Sequence, residues 1–207
     1  MRRLIPQIGP CDLLPSENRA PYESLMRAIA HQQLNGKAAE TILGRFVGLY
    51  PKGVFPTPEQ VIATPHAQLR GVGFSEAKVK SIYDIAQKTL DGTVPTKRAI
   101  TRMTDDAIVE RLVSVRGVGR WTVEMLLIFQ LGRPDILPVD DFGVRNGFRV
   151  IRKLEAMPKP KELALYGERW APHRTIAAWY LWRAADRDKA KAAKATKTVK
   201  KLDGKGT

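Results

Sequence analysis

Residues 121–131 are apolar nearly all the way round a helical wheel: Val123, Leu126, Leu127, Ile128 and Phe129 leave little polar face to turn to water. Such a helix is stable only when other elements wrap it, so the segment predicts a helix buried at the centre of the fold and not a surface helix. Helices are also what the flanking sequence offers. In 21–34 the apolar Leu25, Ala28 and Ile29 fall at helical spacing behind Pro21, which suits a first turn. A second helix is expected over about 36–50. Thr57-Pro58-Glu59-Gln60 reads as an N-cap, a proline at the first helical position and a capping-box glutamine, with a short helix to follow. In 75–90 the set Val79, Ile82, Ile85, Ala86, Thr89 and Leu90 makes one stripe that Gly92 ends, and Thr104-Asp105-Asp106 opens another helix. Further helices are expected near 141–154, 161–166 and 172–185, separated by Pro158, Pro160 and Trp170-Ala171-Pro172. No segment has the alternation of a strand, so the fold class is all-α.

The 207 residues, 43% of them apolar, can fill the core of one compact domain or two small ones. The net charge of +14 favours a polyanionic partner, either DNA or RNA. Residues 186–207 hold eight Lys or Arg and three Asp, net +5, which leaves a body of +9. This last stretch is rich in Ala and Lys and poor in large apolar side chains, so it is expected to be a basic tail, disordered or transiently helical, with no catalytic role. Cys11 is the only cysteine, which excludes an intrachain disulfide, a cysteine-based zinc site and a four-cysteine iron–sulfur cluster, and fits a reducing, intracellular home. No run of apolar residues approaches the roughly 20 needed to cross a membrane, and the first residues do not read as a secretion signal. The expected location is cytoplasmic, with the nucleoid if the source is bacterial.

Chemistry concentrates around Leu112-Val113-Ser114-Val115-Arg116-Gly117-Val118-Gly119-Arg120-Trp121-Thr122. Its Gly-x-Gly turn lies between two helices, immediately before the buried one. Two glycines let backbone N–H groups approach a phosphate oxygen, the helix terminus adds partial positive charge, and Arg116 and Arg120 add full charges. The same pattern would also serve as a purely structural turn. A second element, Gly71-Val72-Gly73 before Ser75, reads better as a turn followed by an N-cap. His31, His66 and His173 lack the spacing of a zinc site.

The 112–122 segment, followed by Leu137-Pro138-Val139-Asp140-Asp141-Phe142, resembles the helix-hairpin-helix superfamily of DNA glycosylases. Ile29-Ala30-His31-Gln32-Gln33-Leu34 and Trp170-Ala171-Pro172-His173-Arg174 extend the match towards its 3-methyladenine-DNA glycosylase II branch, over about residues 18–185. The chain lacks the N-terminal mixed-sheet domain of the larger bacterial inducible enzyme and is similar to the compact, all-helical members. The resemblance implies two helical subdomains with the active-site cleft between them. One is a central bundle over 23–134 carrying the helix-hairpin-helix at about 110–131. The other is built from 1–22 and 135–185.

The resemblance also assigns roles. Asp141 becomes the catalytic carboxylate, which stabilises the oxocarbenium charge that develops on the sugar or activates water, and Asp140 becomes the cap of the following helix. Trp121 stands where relatives similar to endonuclease III carry a Schiff-base lysine, so the chain is expected to hydrolyse the glycosidic bond without cutting the strand. Its indole could stack on a cationic alkylated purine, a contact of about 0.5–2 kcal/mol, although tryptophans at the start of buried helices more often pack a core. Met125 and Trp182 complete the expected base pocket. Arg116, Gly117, Val118, Gly119, Arg120 and Thr122 would hold DNA phosphate, and Gln33 or Leu34 would fill the gap left by the flipped base. No catalytic metal and no iron–sulfur cluster is implied. Relatives can hold a monovalent cation, Na or K, on hairpin carbonyls, here those of Val113, Val115 and Val118. The expected function is excision of alkylated purines of the 3-methyladenine and 7-methylguanine type from damaged double-stranded DNA in base excision repair, by a monomer. The alternatives are a glycosylase for uracil, hypoxanthine or oxidised purine, and a non-catalytic helix-hairpin-helix DNA-binding module. Trp170, Arg174 and Trp179 are expected to be mainly structural.

Overall fold

The computed structural model describes residues 4–16 and 19–203, with side chains for all of these except 52 and 194–203. Among them there are twelve α-helices and no strand, as an all-α fold requires. In chain order they are α1 (Ile5–Ile8), α2 (Pro21–His31), α3 (Gly36–Val47), α4 (Pro58–Ala63), α5 (His66–Gly71), α6 (Glu76–Leu90), α7 (Lys97–Ile100), α8 (Asp105–Leu112), α9 (Arg120–Phe129), α10 (Phe142–Arg152), α11 (Pro160–Gly167) and α12 (Arg174–Asp203). The chain divides into two compact units: Pro15–Gly132, and a unit formed by the chain before and after it.

In the 15–132 unit the starts of the helices are written in side chains. Thr57 and Gln60 form the reciprocal capping box of α4, while Ser75 and Thr104 accept from the third backbone N–H of α6 and α8. Asn35 does the same for α3. The apolar stripe of α2 (Leu25, Met26, Ile29 and Ala30) and that of α6 (Val79, Ile82, Ile85 and Ala86) are fully buried against each other. Each such aliphatic side chain contributes about 1.5–3 kcal/mol. The stripe of α6 ends sooner than expected. Leu90, its last apolar residue, is 44% exposed, because the chain turns at Gly92 (φ +82°) before anything packs over it.

Helix α9 is buried on most sides through Val123, Leu127 and Ile128, but not on all. Trp121 is 47% exposed and Phe129 37% exposed, so the expectation of a helix enclosed all round is corrected: one apolar line of α9 faces a cleft. The unit begins at Pro15 and ends at Gly132, against the expected 23 and 134. Two contacts explain the early start. The Ser16 N–H donates to the Phe129 carbonyl at 2.7 Å, and the backbone of Gly132 lies against Pro15, where a Cβ would come within 2.8 Å.

The second unit is organised by α10 against α12. Val144, Phe148, Leu163, Ala178 and Leu181 form its core, with Trp170 and Tyr166 packed edge-on around Phe148. A Cβ on Gly147 would stand 1.9 Å from the Leu181 carbonyl oxygen, so glycine is what lets the two helix backbones meet. The start of α12 is tied down by Arg174, whose Nε and Nη2 donate to the two carboxylate oxygens of Asp135 at 2.7 and 2.8 Å. Those bonds hold the Asp135 carboxyl below the usual carboxylate range. The 186–207 stretch differs from a disordered tail: α12 runs on to Asp203. Ala and Lys have high helix propensity, and extending a helix already nucleated by packing avoids the initiation cost. Within it Asp188 pairs with Arg149, and Arg187 donates to the Gln7 carbonyl. Residues 204–207 of the expected tail lie outside the described residues.

Candidate active site

The Gly-x-Gly turn is a tight hairpin between α8 and α9. The Val115 N–H donates to the Leu112 carbonyl and the Val118 N–H to that of Val115, which reverses the chain within a few residues. Gly117 has φ +78°, and a Cβ there would meet Ser81 Oγ at 2.6 Å and Ile29 Cδ1 at 3.1 Å. Conformation and space both demand glycine. Gly119 is different, with open space around it, and it begins α9 without offering a side-chain acceptor. The first-turn N–H groups, which no helix satisfies internally, therefore form the electropositive end of α9.

The proposed grip residues are not equivalent. Arg116 has an exposed side chain, but its backbone N–H donates to Asp84 Oδ2 at 2.7 Å and so serves the fold. Arg120 is exposed and paired at 3.1 Å with the buried Glu124, which offsets part of its charge. Val118 and Thr122 are buried, so only their backbones could reach a phosphate. At the second Gly-x-Gly, Gly73 (φ +110°) packs on Ile42 and Arg70 donates to the Phe74 carbonyl, as a structural turn would.

Trp121, Met125 and Phe129 lie one turn apart along α9 and line one side of a cleft of about 550 Å³ within the 15–132 unit. The end of α2 supplies the other side, with Ala28, Gln32 and Gln33. Phe129 was absent from the sequence-derived pocket, although it continues the Trp121 and Met125 line by four residues. Arg27 lies there too, held by Glu23 at 2.8 Å, and His31 pairs with Glu40 at 3.0 Å. Gln33 has φ +57°, a left-handed conformation uncommon for a residue with a Cβ, and both it and Leu34 are exposed at the turn into α3. The neighbouring Gln32 donates from Nε2 to the Gly117 carbonyl at 2.9 Å, which fastens this turn to the hairpin. Nothing in the residue pattern foretold that bond.

Asp141 and Trp182 come together in the other unit. Asp141 Oδ1 accepts from the Val144 N–H and from Trp182 Nε1, both at 2.8 Å. Asp141 is therefore itself the N-cap of α10, which corrects the assignment of that role to Asp140. The backbone at Asp141 is extended (φ −66°, ψ 126°), as a cap requires, and helical geometry begins at the next residue. Trp182 is thus more than a wall: it orients the carboxylate. Gly143 makes room for it, since a Cβ there would lie 2.8 Å from the indole Cδ1. No group of His, Cys, Asp and Glu among the described residues could hold a metal ion.

The chain belongs to the HhH-GPD superfamily of base excision DNA repair proteins, whose model matches residues 26–173. It is 44% identical over 169 residues to DNA-3-methyladenine glycosylase 1 of Schizosaccharomyces pombe, covering 82% of this chain and 74% of that protein. Among solved structures, the S. pombe 3-methyladenine DNA glycosylase in complex with abasic DNA matches with a TM-score of 0.77 and 42% identity, over 88% of this chain and 89% of the other. A DNA-3-methyladenine glycosidase from Bacillus halodurans matches with a TM-score of 0.79 and 33% identity, over 89% and 83%.

Proposed function

We propose that the protein is a monofunctional DNA glycosylase that hydrolyses the N-glycosidic bond of alkylated purines, of the 3-methyladenine and 7-methylguanine type, in duplex DNA during base excision repair. The observation that carries this is the half-exposed Trp121, with Met125 and Phe129, at the position where a strand-cutting relative would need lysine. The similarity to 3-methyladenine glycosylases supports it.

An N3- or N7-alkylated purine carries positive charge, and the indole face attracts it through the ring quadrupole. When its C1′–N bond breaks, the base leaves with the bonding electron pair and becomes neutral, so no general acid is needed. The positive charge moves to the sugar, where the Asp141 carboxylate stabilises it; water then bonds to C1′ and gives up its proton. The hairpin and the N-terminus of α9 hold phosphate, with Arg116 as the more available guanidinium. Gln33 or Leu34 fills the vacated space in the duplex. The reaction needs no cofactor. A Na or K ion on the carbonyls of Val113, Val115 and Val118 would brace the hairpin. The protein works as a monomer wherever the DNA lies, in the cytoplasm or nucleoid.

The test is mass spectrometry of bases released from duplex DNA carrying alkylated, deaminated and oxidised lesions together. Alkylated purines should appear free, with strand breaks only after alkali. Asp141→Asn should bind the same DNA and lose at least about 100-fold in turnover. Release of no base, or strand breaks without alkali, overturns the reading.

A further inference from the structure

A second groove lies wholly within the unit built on α10 and α12, with a volume of about 740 Å³. Its floor is apolar, from Leu4, Ile151, Trp170 and Ala184. Its rim is basic: Arg152 and Lys153 at the end of α10 face Arg187 and Lys191 of α12. Asp188 is the one acidic lining residue, and Arg149 pairs with it at 3.5 Å. The groove is remote from the chemistry. Asp141 caps the start of α10, and eleven residues of helix, about 16 Å, separate it from Arg152.

We propose that this groove is a docking site for an acidic peptide segment of a partner protein, with apolar side chains seated on the floor and carboxylates on the rim. The four cations supply the charge complementarity. The floor decides between peptide and nucleic acid. Aliphatic side chains give a base nothing to stack on, and the Tyr166 ring already carries the guanidiniums of Arg169 at 3.9 Å and Arg152 at 5.2 Å. Trp170 packs edge-on against Phe148 and Tyr166. An apolar floor with a cationic rim instead matches an amphipathic acidic segment that lays its hydrophobic face in the groove.

The probe is a fluorescein-labelled amphipathic peptide with Glu and Asp on one helical face and Leu on the other. Anisotropy is read on the full-length protein saturated with an unlabelled abasic-site duplex, so that the DNA-binding surface is occupied. Saturable binding is expected, weakened at least about tenfold by Lys153→Glu combined with Lys191→Glu, and by a similar factor when the peptide's Leu residues become Ser. The double variant should retain its base-release rate, which also reports that it folds. No saturable binding, or equal affinity for the double variant, overturns the proposal. So does indifference to the Leu-to-Ser change. Displacement of the peptide by single-stranded oligonucleotide that itself loses affinity for the double variant assigns the groove to nucleic acid, and overturns it as well.

Discussion

Trp182→Phe separates two roles for one side chain. It keeps an aromatic surface but removes the Nε1–H that donates to Asp141 Oδ1 at 2.8 Å. A hydrogen bond to a charged acceptor is worth about 1.5–3 kcal/mol when shielded from water, and about 1–2 kcal/mol for a partly exposed group such as Asp141. If the bond holds the carboxylate in its working direction, that loss appears in the transition state and lowers kcat about 5- to 30-fold. If Trp182 serves only as a wall for the base, the remaining ring preserves kcat and the change falls on KM. Single-turnover release of 7-methylguanine at saturating enzyme reads the chemical step directly, and a substrate titration gives the affinity. The Val144 N–H still caps through the same oxygen, so the melting temperature should fall by no more than a few degrees. A kcat within about twofold of the parent, or above it, would refute the positioning role.

Gly147→Ala forces a methyl to within 1.9 Å of the Leu181 carbonyl oxygen, so α10 and α12 must part; a loss of about 2–4 kcal/mol is expected in urea unfolding, and a change under 1 kcal/mol would show that the helices shift freely. The Asp135 carboxyl is held below its unfolded value by Arg174, so its contribution is complete above about pH 4 and is lost as the pH falls through the folded value. Asp135→Asn should therefore cost about 1 kcal/mol at neutral pH and remove that part of the acid-side decline in melting temperature; parallel curves for the two proteins would refute the linkage.

Local signals carried the helical layout well. Thr57 with Gln60, Ser75 and Thr104 mark helix starts through bonds that span three residues, so a short window of sequence contains both partners. The hairpin was legible for the same reason. Choices that depend on backbone direction or on distant partners were not. Asp140 and Asp141 are chemically identical neighbours, and only the extended backbone at Asp141 decides which one caps. The Trp182 bond to Asp141 spans 41 residues, and the Gln32 bond to Gly117 spans 85, beyond any local pattern. Gly147 did leave a trace, because a glycine inside an amphipathic helix is costly unless a close approach needs it. Phe129 was obscured because apolarity all round α9 hid which line would face the cleft.

Asp141 Oδ1 receives two N–H groups, one from its own helix and one from an indole on another. A carboxylate pinned at two points has surrendered its rotamer freedom before any DNA arrives. The entropy of aiming it is spent once per folding event rather than at every catalytic cycle, so the positive charge on the sugar meets a field already in place.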